Sequence, residues 1–256
     1  MSNASAQAIV TLKQVTRSFT MGQNKVTALD KLDLTLLKGE FVVLKGASGS
    51  GKSTLLNLIG AMDDPTSGEV SIHGEKLSTL SDKQKSQLRS RYIGFIFQAF
   101  NLIPVLTALE NVQYPLSLQK VNASEAKARA KKALEQVGLG EFVDRRPNQL
   151  SGGQMQRVAI ARAIVTNPDV ILADEPTANL DSQTSMQIMN LLGDLNKNLG
   201  VTFLFATHHD FVLSRASRIL TLQDGHIVED QQITQAPPQN KTTIKTRAIK
   251  EECHAI

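Results

Sequence analysis

Apolar positions along this chain fall into blocks with two different spacings. Phe41-Val-Val-Leu44, the run Asp169-Val-Ile-Leu-Ala-Asp-Glu175 and the stretch Val201–Ala206 are short and almost continuously apolar. That is the pattern of strands buried on both faces of a parallel sheet. Leu55-Leu-Asn-Leu-Ile59 follows the first of them with helical spacing. Caps mark further helices. Ser81-Asp-Lys-Gln84 opens a polar helix to about Arg91, and Thr107-Ala-Leu-Glu110 opens a second. Asn122-Ala-Ser-Glu125 opens a third, which stops at Gly138 and Gly140. Residues 8–45 and 68–73 predict short strands around glycine-rich turns, a β-rich lobe. The stretch from about 99 to 165 therefore reads as a helical insertion between core strands.

Two places in this pattern are suited to phosphate. Gly46-Ala-Ser-Gly-Ser-Gly-Lys-Ser-Thr54 fits G-x-x-x-x-G-K-[ST] and lies between the first strand and its helix, the context the motif requires. Its glycines let successive N–H groups point inward. Lys52 would reach the β- and γ-phosphates, and the Ser53 hydroxyl would sit on Mg²⁺. The helix beginning near Lys52 adds its positive end. The second place is Leu150-Ser-Gly-Gly-Gln154, followed at once by a helical pattern. By itself Ser151-Gly-Gly-Gln154 is also an ordinary capping box. Two glycines weaken a first turn by about 1 kcal/mol each, which makes sense where a backbone or ligand must approach closely. One ATP needs one phosphate loop, so two such elements imply an ATP sandwiched between two copies of the chain.

The strand 169–175 ends in adjacent carboxylates, at the end of a parallel strand where ligands collect. Asp174 is the candidate metal ligand, acting through water, and Glu175 the candidate base for the attacking water. The alternative is a solvated strand end leading into a turn.

These residues resemble the ATP-binding subunit of an ABC transporter over roughly residues 8–230. Gly46–Ser53 is similar to that family's Walker A motif, Val170–Glu175 to its Walker B, and Leu150–Gln154 to its signature. The resemblance implies an α/β fold: a P-loop NTPase core of mostly parallel sheet flanked by helices, an N-terminal antiparallel β lobe and an α-helical subdomain. It implies ATP and Mg²⁺ as cofactors. Gln98 falls at the Q-loop glutamine, which contacts Mg²⁺ and relays movement to a membrane partner. Ala178-Asn-Leu-Asp181 resembles the D-loop, and Thr207-His208 the switch histidine at the γ-phosphate. Phe19 stands where an aromatic residue, commonly tyrosine, stacks on adenine. The nucleotide set is thus Phe19, Gly46, Ser48, Gly49, Ser50, Gly51, Lys52, Ser53 and Thr54 from one subunit. Ser151, Gly153, Gln154 and Asp181 complete it at the seam, with Ser151 and Gly153 acting on the other subunit's ATP. The catalytic set is Glu175, His208, Lys52 and Gln98, and the metal set Ser53, Gln98 and Asp174. One departure is that His209 separates His208 from Asp210.

Ala173 and Asn179 make the segment 172–181 similar to ATPases of the lipoprotein-release and macrolide-efflux type. Importer ATPases more often have a bulky residue before the Walker B aspartate and alanine in the D-loop. The expected function is a homodimeric motor for a separate membrane permease, in export, extraction or mechanotransmission. An importer ATPase and a soluble ABC ATPase outside transport stay open as alternatives. Phe100, Leu102 and Ile103, in the apolar loop 99–106, are the expected permease contacts, unless that loop only fills the core.

Composition sets limits. With 256 residues, 41% of them apolar, the chain can bury one good core. No apolar run approaches the roughly 20 residues that span a bilayer, and no signal-peptide pattern is present. The single cysteine, Cys253, fits a reducing compartment. The expected location is the cytoplasmic face of a membrane, reached through a partner. The net charge of +4 raises nucleic acid as a ligand, yet +2 of it lies after Asp230 in a tail, 231–256, whose composition reads as disordered. With no Trp and two Tyr, stacking platforms for single strands are scarce, and no nucleic acid is expected.

Overall fold

The computed structural model describes residues 7–22, 24–207, 210–213 and 215–233. In chain order, β1 (Ala8–Met21), β2 (Asn24–Leu37) and β3 (Phe41–Lys45) lead into α1 (Lys52–Ile59). Next come β4 (Ser67–Ile72), β5 (Glu75–Lys76), α2 (Asp82–Tyr92) and β6 (Ile93–Ile96). Three helices follow: α3 (Ala108–Leu118), α4 (Ala123–Gln136) and α5 (Gly152–Ile164). The chain continues through β7 (Val170–Asp174), α6 (Ser182–Leu199), β8 (Thr202–Ala206), α7 (Asp210–Leu213), β9 (Arg218–Gln223) and β10 (His226–Gln232).

The continuous apolar runs become the middle of a six-stranded sheet ordered β10-β9-β3-β8-β7-β6. Within it β9, β3, β8, β7 and β6 are parallel, and β10 pairs antiparallel with β9. Alternate residues of each run serve different cores. Phe41 and Val43, Ile171 and Ala173, and Phe203 and Phe205 face a core shared with α3, α4, α5 and α6. Val42 and Leu44, Val170 and Leu172, and Leu204 and Ala206 face a second core with α1 and the β lobe. Burial on both faces is why these strands show no alternation. Phe41 and Phe205 pack with ring centroids 4.5 Å apart.

A four-stranded antiparallel sheet, β2-β1-β4-β5, forms the lobe. Short strands were expected here, but β1 and β2 each run for 14 residues. Their register shifts between Leu12 and Val15 and again between Val15 and Arg17. Each bulge breaks the two-residue alternation, so a long strand reads as several short ones.

Caps at Ser81 and Thr107 are reciprocal boxes as expected. At Asn122 the box does not form. Its Oδ1 accepts from the Ser124 N–H at 2.9 Å, and Glu125 pairs with Arg129 instead. The strand β10 continues past the expected boundary at Asp230 to Gln232, and the Ile233 N–H donates to the Ser217 carbonyl at 2.8 Å. The rest of the tail, from 234, lies outside the described residues. Among the described residues no helix is long and apolar enough to cross a membrane.

Arg218 ties the sheets together. Its Nε and Nη2 each donate to Asp230 at 2.7 Å, and Nη1 donates to the Thr35 carbonyl at 2.7 Å. The Arg218 hydrogen bonds hold the Asp230 carboxyl below the usual aspartate range. A carboxyl that titrates lower when folded contributes fully above the ordinary value, near pH 4, and loses that contribution as pH falls through the folded value. Asp230 is partly exposed, so water screens the pair. Asp230→Asn is therefore expected to reduce the unfolding free energy by about 1 kcal/mol at pH 7, and by less at pH 3. Urea unfolding at both values checks this, and equal losses would contradict it.

Candidate nucleotide site

The turn from β3 into α1 is shaped by a contact that excludes side chains. Gly51 has φ 105°, and a Cβ there would fall 2.5 Å from the Ala28 carbonyl oxygen on β2. The β lobe thus presses directly on the loop. Lys52 is buried at the start of α1, and its Nζ donates to the Gly46 and Ala47 carbonyls, each at 2.8 Å. These bonds centre the ammonium inside the curl of the loop. Ser53 Oγ donates to Asp174 Oδ2 at 2.9 Å, joining α1 to the end of β7.

A cavity of about 690 Å³ opens over this loop, well within the range of small-ligand sites. Gly46, Ser48, Gly49, Gly51, Lys52, Ser53 and Thr54 line it together with Gln98, Asp174 and Glu175. Residues expected to hold phosphate, metal and the attacking water therefore share one space. Glu175 has φ 44°, a left-handed conformation that costs a side-chain-bearing residue about 1–2 kcal/mol. Neighbouring backbone holds it there, because the Glu175 N–H donates to the Ala206 carbonyl of β8 at 2.9 Å. Gln156, fully buried on α5, donates to the next carbonyl, that of Pro176, at 2.5 Å.

The Ser53 hydroxyl, the Asp174 carboxylate and the Gln98 amide are hard oxygen donors among the residues lining one cavity. That set suits Mg²⁺, which takes one or two carboxylates and completes its shell with phosphate and water. Among the described residues no group of three or more His, Cys, Asp or Glu side chains forms a metal cage. The donors fit a metal that arrives with the phosphates, and Mg²⁺ bound there would neutralise charge on the phosphate oxygens.

The other expected residues lie elsewhere. Ser50 is buried within the loop, its Oγ has no hydrogen-bond partner among the described residues, and it does not line the cavity. Phe19 is exposed on β1 opposite Val26 and does not line it either. One face of its ring is covered by the Arg17 guanidinium, 4.6 Å from the centroid, which Asp63 holds at 2.8 Å. Ser151 caps α5. Its Oγ accepts from the Gln154 N–H at 3.3 Å, while Gln154 Oε1 accepts from the Ser151 N–H at 2.9 Å. Close approach explains Gly153, but from within the chain: a Cβ there would meet Thr184 Cγ2 at 2.6 Å. Thr184 is held by Asp181, which caps α6. The Thr184 hydroxyl and then its N–H keep the Asp181 carboxyl below the usual range. None of Ser151, Gly153, Gln154 and Asp181 lines the cavity over Lys52. His208 lies outside the described residues.

Sequence reading missed four contributors. Ala28 and Ala47 line the cavity through their positions alone and carry no sequence signal. Asn179 donates from Nδ2 to the Gln98 carbonyl at 2.9 Å. Arg162, half-buried on α5, is a lone charge in the apolar run Val158–Ile164, a usable signal.

A family model described as ABC transporter matches residues 29–178, across the phosphate loop, the signature and both carboxylates. The chain belongs to the ABC transporter family. It is an ATPase cassette of that family. It is 45% identical over 224 residues to a lipoprotein-releasing system ATP-binding protein, LolD, of Pseudomonas fluorescens, covering 88% of this chain and 99% of the relative. It is 42% identical over 250 residues to a macrolide export ATP-binding/permease protein, MacB, of Haemophilus ducreyi, covering 96% of this chain and 36% of that longer protein. Among solved structures, the dimeric, post-hydrolysis form of the ATP-binding cassette MJ0796 bound to ADP and Pi matches with TM-score 0.82 and 46% identity. That match covers 89% of this chain and all of the other.

Proposed function

We propose that this cassette works as a homodimer around two ATP molecules and drives a separate membrane permease in export, extraction or mechanotransmission. One observation carries this reading. The chain has both a phosphate loop and a capped, glycine-bearing helix N-terminus at Ser151, yet the two do not line a common cavity. A second copy, turned by a two-fold axis, would bring the N-terminus of its α5 over the first copy's loop. The MJ0796 cassette solved as a dimer supports this arrangement.

Within each shared site, Lys52 and the loop amides hold the β- and γ-phosphates. Phe19, exposed on β1, is the ring that stacks on adenine. Glu175 orients a water and accepts its proton as the oxygen–phosphorus bond forms and the β–γ bridge breaks. His208 contacts the γ-phosphate, and ADP and phosphate leave as the dimer opens.

Relatives named ATP-binding/permease proteins join both functions in one chain, which supports a permease partner here. The surface suited to it is an apolar groove of about 370 Å³ between α2, β6 and α3. Met62, Phe95, Phe97, Pro115 and Leu118 line it, and Leu118 is 62% exposed. The expected contacts Phe100, Leu102 and Ile103 do not line this groove. Leu102 packs on the core, and the Ile103 backbone is bonded to Asn111. Leu118→Glu is expected to leave the ATPase rate of the isolated protein within twofold and to abolish recovery of an integral membrane protein with the tagged cassette from detergent-solubilised native membranes. Unchanged recovery would refute this groove as the docking surface.

A further inference from the structure

The segment Gln98–Asn101 joins two sites. Gln98 lines the nucleotide cavity, while Phe97 and Asn101 line the apolar groove. Its conformation is strained: Phe100 and Asn101 are consecutive left-handed residues, with φ 53° and 51°. An aromatic side chain is poorly suited to that region, which persists only where its surroundings over-determine it.

Two side chains from remote parts of the chain do this. Arg162 on α5 donates from Nη2 to the Phe100 carbonyl at 2.8 Å and from Nη1 to the Asn101 carbonyl at 2.5 Å. Asn179, in the turn between Glu175 and α6, donates to the Gln98 carbonyl at 2.9 Å. Neither contact builds a strand or a helix, since β6 ends at Ile96 and Asp181 caps α6. Burial lowers the Arg162 pKa, and the hydrogen bonds described for it go to neutral carbonyls. A half-buried charge spent on neutral acceptors adds little stability, but its planar fork is an effective way to hold two successive carbonyls in one orientation.

We propose that Asn179 and Arg162 are positioning residues for Gln98, fixing its amide opposite the Ser53–Asp174 pair. The inference rests on reading Gln98 as a metal ligand. It gives the Walker B turn a direct hold on Gln98 through Asn179, and the signature helix an indirect one through the Phe100 and Asn101 carbonyls. A change in the turn after Glu175 would reach Gln98 through one hydrogen bond, and a shift of α5 when its N-terminus meets a partner's phosphate would reach it through the backbone of Phe100 and Asn101.

The test is a binding measurement. Affinity for a non-hydrolysable ATP analogue is measured by calorimetry in Mg²⁺ and again in EDTA, and the ratio of the two affinities reports the metal's contribution. Gln98→Ala is expected to reduce that ratio. Asn179→Ala is expected to reduce it about fivefold, the factor corresponding to one hydrogen bond, with the EDTA affinity unchanged within twofold. In the Gln98→Ala background, Asn179→Ala is expected to add nothing, because its effect runs through Gln98. Arg162→Lys keeps the charge but cannot span both carbonyls, and is expected to give a smaller reduction. If Gln98→Ala leaves the ratio unchanged, the metal-ligand reading itself fails. If Gln98→Ala reduces it and Asn179→Ala does not, the positioning role fails. Additive losses in the double variant also overturn the proposal, since Asn179 would then act by another route.

Discussion

Glu175→Gln is expected to lower ATP turnover roughly a thousandfold, the middle of the range for losing a general base, while ATP stays bound. Glutamine keeps the size and hydrogen-bonding reach of the side chain but cannot accept the proton from the attacking water. The backbone should hold its place, because the left-handed conformation at 175 is fixed from outside the side chain. The Glu175 N–H is bonded to Ala206, and buried Gln156 grips the Pro176 carbonyl. Lys52, Ser53 and the loop amides are untouched, so nucleotide affinity should stay within a few-fold. A site that binds and cannot turn over should also accumulate the closed dimer. Initial rates, with mass by light scattering in MgATP, check both parts. Wild-type turnover would remove Glu175 from the chemistry.

Ser151→Arg is expected to reduce turnover at least a hundredfold, the cost of losing preorganised donors at a phosphoryl centre. Affinity of the monomer for ATP should not change, because Ser151 does not line the cavity over Lys52. The substitution also removes the α5 cap, which is worth about 1 kcal/mol. Ser151→Ala separates the two effects: it loses the same cap without adding bulk, so it should unfold at a similar temperature and retain more activity. If Ser151→Arg hydrolyses ATP normally, no partner phosphate sits at that helix end.

Much of this architecture was legible because it is local. The phosphate loop is one uninterrupted motif between a strand and a helix, and β3, β7 and β8 advertise burial on both faces by their unbroken apolar runs. Caps at Ser81, Thr107 and Ser151 need only four residues each. What escaped depends on segments far apart. Gly153 was expected to admit a ligand, and nothing in its own motif announces that Thr184 of α6 also packs against it. The bond from Asn179 to Gln98 spans 81 positions and follows from the packing of β7 beside β6. Met62 and Leu118, 56 positions apart, line one groove only in the folded chain, so no local pattern announces it. The Asn122 box failed because Glu125 found Arg129 one turn along its own helix.

Sharing of each ATP between two copies is tested most directly by mixing two inactive variants. Lys52→Ala has a disabled loop and an intact α5 N-terminus, whereas Ser151→Arg has the reverse. In a mixed dimer, the loop of one meets the intact helix end of the other at one of the two sites. Half of the dimers in an equal mixture are mixed, so ATPase activity should return to about a quarter of the wild-type rate if the sites act independently. Activity that stays at the level of the separate variants would mean that each chain completes its own site, and the shared arrangement would be wrong.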